Sequence, residues 1–371
     1  MINDRLTPLR EAIGEIDRAL LELLRRRMEL AAEVGKLKAE VAAPVVVRDV
    51  EDRILSRARQ QAELVGVSES VMESIFEAIL RGSVECQHRI GVDRRRERGE
   101  PLLVLGGAGG MGSWLRHFLE LVGHRVDVVD PSFGALPDAA GCYTSLDAVG
   151  DEALNEYAAI FVSVPLAATP EVLEQVIARK PRGLVVEIAS IKSHLGGTLE
   201  RARKAGVELA ALHPMFGPGK SPYEPLTFVL ASQGDPDEER SRLAALLRHP
   251  YTRLVTVPFE HHDRLMGWLL GLAHLSGMLF GAALTRSGLS PRELRACAST
   301  TFLRQSSTAL SVLAEDPDLY LDIQYFNPHR SEVYAAVGAA LHELVALVSE
   351  HDREGFREAL TAARRALQEE G

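Results

Sequence analysis

The sequence predicts a multidomain chain: an all-α helical module, then an α/β Rossmann-type domain, then a second all-α domain. Three observations predict it. Residues 6–41 repeat apolar side chains at steps of three and four, residues 102–112 run an apolar strand into three spaced glycines, and from about residue 258 the pattern is wholly helical. At 371 residues the chain also exceeds what one hydrophobic core organises. The expected boundaries are a helical domain at 1–92, a linker at 93–100, a nucleotide-binding domain at 101–257 and a helical domain at 258–371.

Acidic residues outnumber basic ones, 52 to 42, for a formal charge of -10. Neither a nucleic acid nor an anionic membrane is therefore the expected partner, whereas small anions need only local basic pockets. Cys86, Cys142 and Cys297 lie far apart with no CxxC or Cys/His ligand spacing, which suits a reducing compartment and suggests no metal site. The first residues, MINDRLTPLREAIGEID, are amphipathic and acidic early, unlike a secretory or transit segment, so a cytoplasmic location is expected. Residues 265–285 carry no charge but include His274, Gly267, Gly271, Gly277 and Gly281. They read as a helix buried on all sides rather than as a membrane span.

In the first module Leu6, Leu9, Ile13, Ile16, Leu20, Leu23, Leu30, Val34, Leu37 and Val41 form the seam of one long amphipathic helix. Arg27 interrupts that seam, and Arg10 and Lys38 flank it. A single Arg there reads as a snorkelling side chain; three cations on one stripe read as a face for a multiply anionic ligand or partner. A second helix is expected from about Asp49 to Leu64 after Pro44, and a third after the cap-like Ser68. On the third, Phe76, Leu80, Ser83 and Gln87 share a face, so two polar groups stand where a core is apolar.

This module resembles the all-helical chorismate mutases through LREAIGEID at 9–17, RRMELAAEVGKLK at 26–38 and SVECQ at 83–87. The resemblance implies that Arg27, Lys38, Glu51, Ser83 and Gln87 line one site, with Arg10 contributing. Cations and an amide around the substrate would stabilise the charge that builds on the ether oxygen as chorismate rearranges to prephenate. Arg10 and Lys38 stand 28 residues apart, about 42 Å along a helix, so Arg10 is expected from a partner chain in an intertwined homodimer. The family pattern departs at Val47 and Val50, where it carries Asp and Arg. Arg48 and Arg53 are the candidates to compensate, and a module that only dimerises or senses a ligand is the alternative.

In the central domain LLVLGGAGGMG at 102–112 ends in Gly107-x-Gly109-x-x-Gly112 and leads into a helix. A second strand, RVDVVD, ends at Asp130, 23 residues after Gly107. This is a dinucleotide-binding fingerprint: the glycines admit the pyrophosphate to the helix N-terminus, and Asp130 takes the adenosine ribose hydroxyls, favouring NAD over NADP. Further strands at 159–165 and 183–190 place Ser163, Pro165, Ser190 and Lys192 at strand ends, where ligands bind. For Ser163 and Pro165 plain loop geometry is the competing reading. A run ending at His213, followed by Pro214, Met215, Phe216 and Gly217, holds an imidazole rigidly at the next strand end.

GAGGMG, VSVP, EIASIKS and LHPMFGP, in that order, resemble the prephenate dehydrogenases from about residue 102 onward. The resemblance implies oxidative decarboxylation of prephenate to 4-hydroxyphenylpyruvate, with His213 taking the hydroxyl proton and Ser190 hydrogen-bonding near it. Lys192 is expected behind the site or in solvent. The sequence leaves arogenate and amino-substituted analogues open as substrates, with tyrosine as a feedback ligand.

The C-terminal helices are expected to complete the substrate pocket and to dimerise. Adjacent His261, His262 and Asp263 do not share a helix face, so they read as capping or packing residues rather than metal ligands. His274 matches the family's substrate-contacting His, with a buried structural His as the alternative. Arg304, in ASTTFLRQ, falls one residue after the family's carboxylate-clamping Arg, an offset that a local insertion would correct.

Overall fold

The computed structural model describes residues 2–40, 48–96, 99–135 and 141–368. Pro44 and Val47 lie outside the described residues. The chain divides into two compact units. The first comprises Met1–Val164, Glu171–Ile188 and Glu200–Thr256; the second comprises Pro165–Pro170, Ala189–Leu199 and Val257–Gly371.

The first unit opens with three helices: α1 (Ile2–Glu40), α2 (Arg48–Leu64) and α3 (Glu69–Arg96). Their long amphipathic repeats match the expected elements, but α3 continues through Arg96 into the stretch expected to be linker. After Gly91 the stretch VDRRRER has no glycine or proline before Gly99, and arginine is a good helix former, so a charged composition alone does not end the helix. α1 packs on α3 through Ala31 and Gly35, whose absent Cβ would come within 2.7 Å of the Gln87 Cα. The seam residues, among them Leu9, Ile13, Ile16 and Leu20, stay exposed.

The sheet and its helices follow as β1 (Pro101–Leu105), α4 (Gly110–Val122), β2 (Arg125–Val129), β3 (Cys142–Tyr143), α5 (Asp151–Leu154), β4 (Ala159–Val162), α6 (Thr169–Ala178), β5 (Leu184–Glu187), α7 (Gly196–Ala205), β6 (Leu209–Pro214), β7 (Leu226–Ser232), α8 (Pro236–Leu246) and β8 (Thr252–Pro258). The strand order is β3-β2-β1-β4-β5-β6-β7-β8. Strands β3 to β6 pair in parallel, and β7 runs antiparallel to β6. The central parallel strands are covered on both faces, which is why β1 and β4 read as unbroken apolar runs and β5 as an apolar run closed by the buried Glu187. Trp114, Leu115, Phe118 and Leu119 of α4 pack with Val104, Val128 and Phe228 in the main core. On the same unit, Val84 of α3 packs with Leu121 and Tyr223.

The second unit holds α9 (Phe259–Met266), a π-helical turn at Gly267–Gly271, α10 (Leu272–Thr285), α11 (Pro291–Ala296), α12 (Thr300–Leu313), α13 (Pro317–Phe326), α14 (Arg330–Ser349) and α15 (Arg353–Leu367). Local caps set their starts: Ser290 forms a capping box with Glu293, and Ser299, Asp316 and Asp352 each accept a first-turn N–H. The π turn leaves its carbonyls in need of partners, and Gln324 Nε2 donates to the Gly271 carbonyl at 3.0 Å while Tyr334 donates to Gln324 Oε1. The charge-free segment is not buried on all sides as expected. Trp268, Leu269 and Leu279 are exposed, and only Gly277 of α10 is fully buried. Among the described residues, two helices, Phe259–Thr285 and Arg330–Ser349, are long and apolar enough to cross a membrane by length and composition. Both belong to a bundle whose apolar faces are uncovered in a single chain.

Candidate active sites

The first site lies among α1, α2 and α3. A cavity of about 310 Å³ is lined by Arg27, Lys38, Glu51, Ser83 and Gln87 with Val50 and apolar neighbours such as Ile54 and Leu80. Helical spacing explains the convergence: Ser83 and Gln87 are one turn apart on α3, and Arg27, Val34 and Lys38 follow one stripe of α1. Arg27 donates from Nη1 to Ser83 Oγ and to the Ile79 carbonyl at 3.4 Å, while Ser83 Oγ donates to the same carbonyl at 2.7 Å. Burial lowers the Arg27 pKa. Burial also lowers that of Lys38, against the opposing pull of the Glu51 charge. Gln87 Oε1 is buried without a hydrogen-bond partner among the described residues. The cavity thus offers two cations and the Gln87 amide to an anionic, oxygen-rich ligand of modest size.

Arg10 does not reach this cavity. It is exposed on α1, 17 residues before Arg27 and about 25 Å away along the axis. Val50 lines the cavity, and Arg53 does not replace the missing cation: it is exposed, with Nε donating to the Asp49 carbonyl at 2.9 Å. The Arg48 side chain and Val47 lie outside what is described.

The dinucleotide turn lies between β1 and α4. A Cβ at Gly112 would stand 2.0 Å from the Gly106 carbonyl oxygen, and one at Gly107 would stand 2.7 Å from the Val128 side chain. Gly109, the N-cap of α4, has only the Gly106 carbonyl nearby at 3.4 Å, so its outer side is open. Asp130 closes the turn: Oδ2 accepts from Ala108 N at 3.1 Å, and Oδ1 accepts from Ser132 N and Oγ. Burial pushes Asp130 up, but these bonds outweigh it and hold the carboxyl below its ordinary range. A side-chain-free cradle at a helix N-terminus, beside an ionised carboxylate at the end of β2, fits NAD.

Ser163 continues the β1–β4 ladder, with its N–H donating to the Leu105 carbonyl, and its own carbonyl packs where a Gly106 side chain would be. His213 sits in β6 opposite Val229 of β7 and is 3% exposed. The segment after it is pinned. Phe216 packs on Trp114 with ring centroids 4.7 Å apart, Trp114 Nε1 donates to the Lys220 carbonyl at 2.6 Å, and Met215 N donates to the Thr227 carbonyl. The imidazole is therefore held on a rigid strand rather than on a free loop.

The second unit carries the remaining expected residues. The Pro165 carbonyl accepts from Ala168 N and from Thr169 N and Oγ1, so Pro165 opens the 3-10 turn Leu166–Ala168 that precedes α6. Ser190 is half-buried just beyond β5. Lys192 is completely buried rather than solvated, because the turn that carries it is covered by α9. His274 lies half-buried on α10, with its ring 4.2 Å from that of Tyr320, its Nδ1 without a partner among the described residues, and its pKa lowered by burial. Arg304 is exposed on α12, which is regular from its Ser299 cap onward. No insertion corrects its phase, so it points about 100° around the helix from Leu303. Asp263, expected with its neighbouring histidines to cap or pack, accepts the backbone N–H groups of Lys192 and Ser193; the turn it caps lies about 70 residues earlier and has no signal in the local sequence.

Three family models match consecutive parts of the chain: chorismate mutase type II at residues 9–88, the nucleotide-binding domain of prephenate dehydrogenase at 120–245 and its dimerization domain at 258–362. The T-protein of Enterobacter agglomerans is 26% identical over 351 residues, covering 95% of this chain and 90% of that protein. A 4-amino-4-deoxyprephenate dehydrogenase of Streptomyces pristinaespiralis is 27% identical over 277 residues, covering 72% of this chain and 92% of that one. Among solved structures, prephenate dehydrogenase from A. aeolicus in complex with hydroxyphenyl propionate and NAD+ shares the fold, with a TM-score of 0.59 at 17% identity over 72% of this chain and 96% of that one. With a mutase model on its first helices and both dehydrogenase models on the rest, the chain belongs to the bifunctional chorismate mutase/prephenate dehydrogenases, the T-protein type.

Proposed function

We propose that the residues located above divide the two reactions of this tyrosine-biosynthesis enzyme between them. In the mutase cavity Arg27 and Ser83 bind one carboxylate of chorismate, and Lys38 and Gln87 face the ether oxygen, where charge builds as the carbon–oxygen bond breaks. Glu51 favours the charged form of Lys38. Arg10 of a second copy supplies a further cation. The exposed seam of α1 and the dimerization-type C-terminal helices both favour a homodimer.

In the dehydrogenase, Gly107, Gly109 and Gly112 receive the pyrophosphate, Asp130 the ribose hydroxyls, and the Ser163 and Pro165 turns border the cofactor. NAD, when bound, accepts the hydride from the ring carbon that bears the hydroxyl. His213 takes the hydroxyl proton, Ser190 hydrogen-bonds the same oxygen, and the ring carboxylate leaves as carbon dioxide as its bonding electrons aromatise the ring. His274 contacts the substrate, and Arg304 attracts its carboxylates from the exposed face of α12. The enzyme acts in the cytoplasm on small molecules, without nucleic acid or membrane.

The observation that carries this reading is the meeting of Arg27, Lys38, Glu51, Ser83 and Gln87 in one cavity, which a purely dimerising module does not require. Val50 supports a second reading, in which the first domain only dimerises or senses a ligand, because the cavity lacks the family's further arginine. The likeness to the 4-amino-4-deoxyprephenate dehydrogenase adds amino-substituted substrates to the set to be assayed. The test is a paired assay on purified protein: NADH formation from prephenate and, without NAD, prephenate formation from chorismate, with the mass measured by sedimentation. Activity in both assays supports the assignment; activity with prephenate alone leaves the second reading, and inactivity in both leads to the amino analogues.

A further inference from the structure

Asp263 of α9 is 2% exposed, yet nothing in the reaction above uses it. Its carboxylate accepts the Lys192 N–H at both oxygens, at 2.9 and 3.1 Å, and the Ser193 N–H at 2.6 Å. His262 Nδ1 stands 2.7 Å from Oδ1, and the Asp263 carbonyl accepts from Asn327 Nδ2 at 2.8 Å. The 3-10 turn Ser193–Leu195 that leads into α7 thus receives its N-terminal cap from a residue 70 positions later. Its own N-cap position is Lys192, whose ammonium cannot accept an N–H, so no local side chain there does this.

A buried carboxylate is costly unless its oxygens are satisfied, and here two adjacent backbone donors satisfy it. The consequence falls on Ser190. One residue, Ile191, separates it from Lys192, at most about 7.6 Å between the two Cα atoms, so a turn anchored at the Lys192 and Ser193 amides restricts where the Ser190 hydroxyl can stand. Asn327, at the C-terminal end of α13, anchors the Asp263 backbone in turn, so the clamp is held on both sides.

We infer that Asp263 is a positioning residue of the dehydrogenase reaction, acting through Ser190 by clamping the backbone of Lys192 and Ser193. This rests on the reading that Ser190 hydrogen-bonds the substrate hydroxyl. A misplacement of about 1 Å is enough to slow a positioned reaction by about a hundredfold. The test is steady-state prephenate oxidation by the full-length protein carrying Asp263→Asn, Ser190→Ala or both, with mutase activity and melting temperature recorded alongside. Asp263→Asn is expected to lower kcat by about ten- to a hundredfold, with KM for NAD within about twofold and mutase activity retained. The double variant is expected to be no slower than Ser190→Ala alone, since the clamp then has no hydroxyl left to place. Losses that multiply in the double variant, or an unchanged kcat in Asp263→Asn, overturn the inference while leaving Ser190 in its role. An unchanged kcat in Ser190→Ala overturns both the inference and the reading of Ser190. If Asp263→Asn does not fold, Asp263→Ser, which keeps an acceptor hydroxyl, carries the same comparison.

Discussion

At the scale of single residues, each reaction depends on groups whose environment differs sharply from solvent. Burial lowers the Lys38 pKa against the opposing pull of Glu51, and Lys38 lines the cavity with Arg27. Lys38→Ala should cut mutase turnover by about two to three orders of magnitude while prephenate oxidation continues, as measured by paired initial rates. His213, the proposed proton acceptor, stands on a strand whose following segment is pinned by Trp114 and Phe216. His213→Asn should leave NADH binding intact in a fluorescence titration and lower prephenate turnover by about two orders of magnitude or more. Turnover equal to the parent's would remove His213 from the role proposed for it.

Secondary elements translate these positions into sites. The approach of α1 to α3 at Gly35 sets Gln87 against the cavity, and the turn between β1 and α4 has no room for side chains at Gly107 and Gly112. Gly112→Ala forces a Cβ against a backbone carbonyl, which cannot yield as a flexible side chain would. We expect NAD affinity to fall by more than about tenfold with mutase activity retained, read by NADH titration and the chorismate assay. Unchanged affinity would mean that the turn relaxes. In the second unit the π turn before α10 is held by Gln324 and Tyr334, and the His274 ring packs on Tyr320, one helical turn before Gln324 on α13. One helix thus supports both the irregular backbone and the imidazole that follows it.

Across the whole molecule, burial leaves several histidines poor bases. His124 in the first unit and His194, His262 and His274 in the second are all lowered from the ordinary value of 6.5, with burial as the main cause. Between their folded values and 6.5 the unfolded chain binds more protons than the folded one, so stability is lost as pH falls through that window and changes no further on this account below it. The melting temperature should therefore begin to drop below about pH 6.5, before most carboxylates are protonated, and His124→Gln should blunt the drop. A flat profile from about pH 7 to 5 would contradict this. The same scale explains the apolar seam of α1 and the faces of Phe259–Thr285, which a single chain leaves uncovered and a second copy would bury.

Local pattern was enough for much of this. The 3.6-residue spacing of α1 and α3 put Arg27, Lys38, Ser83 and Gln87 on common faces, and the strand, three glycines and Asp130 marked the dinucleotide turn, because helix phase and turn sterics depend on neighbours in the chain. Tertiary structure decided the rest. The antiparallel β7, the full burial of Lys192 and the capping of the Ser193 turn by Asp263 all depend on contacts between residues far apart in sequence. Charge composition could not show where α3 stops, and apolar composition could not tell burial within a chain from an exposed face, since both depend on what each helix packs against.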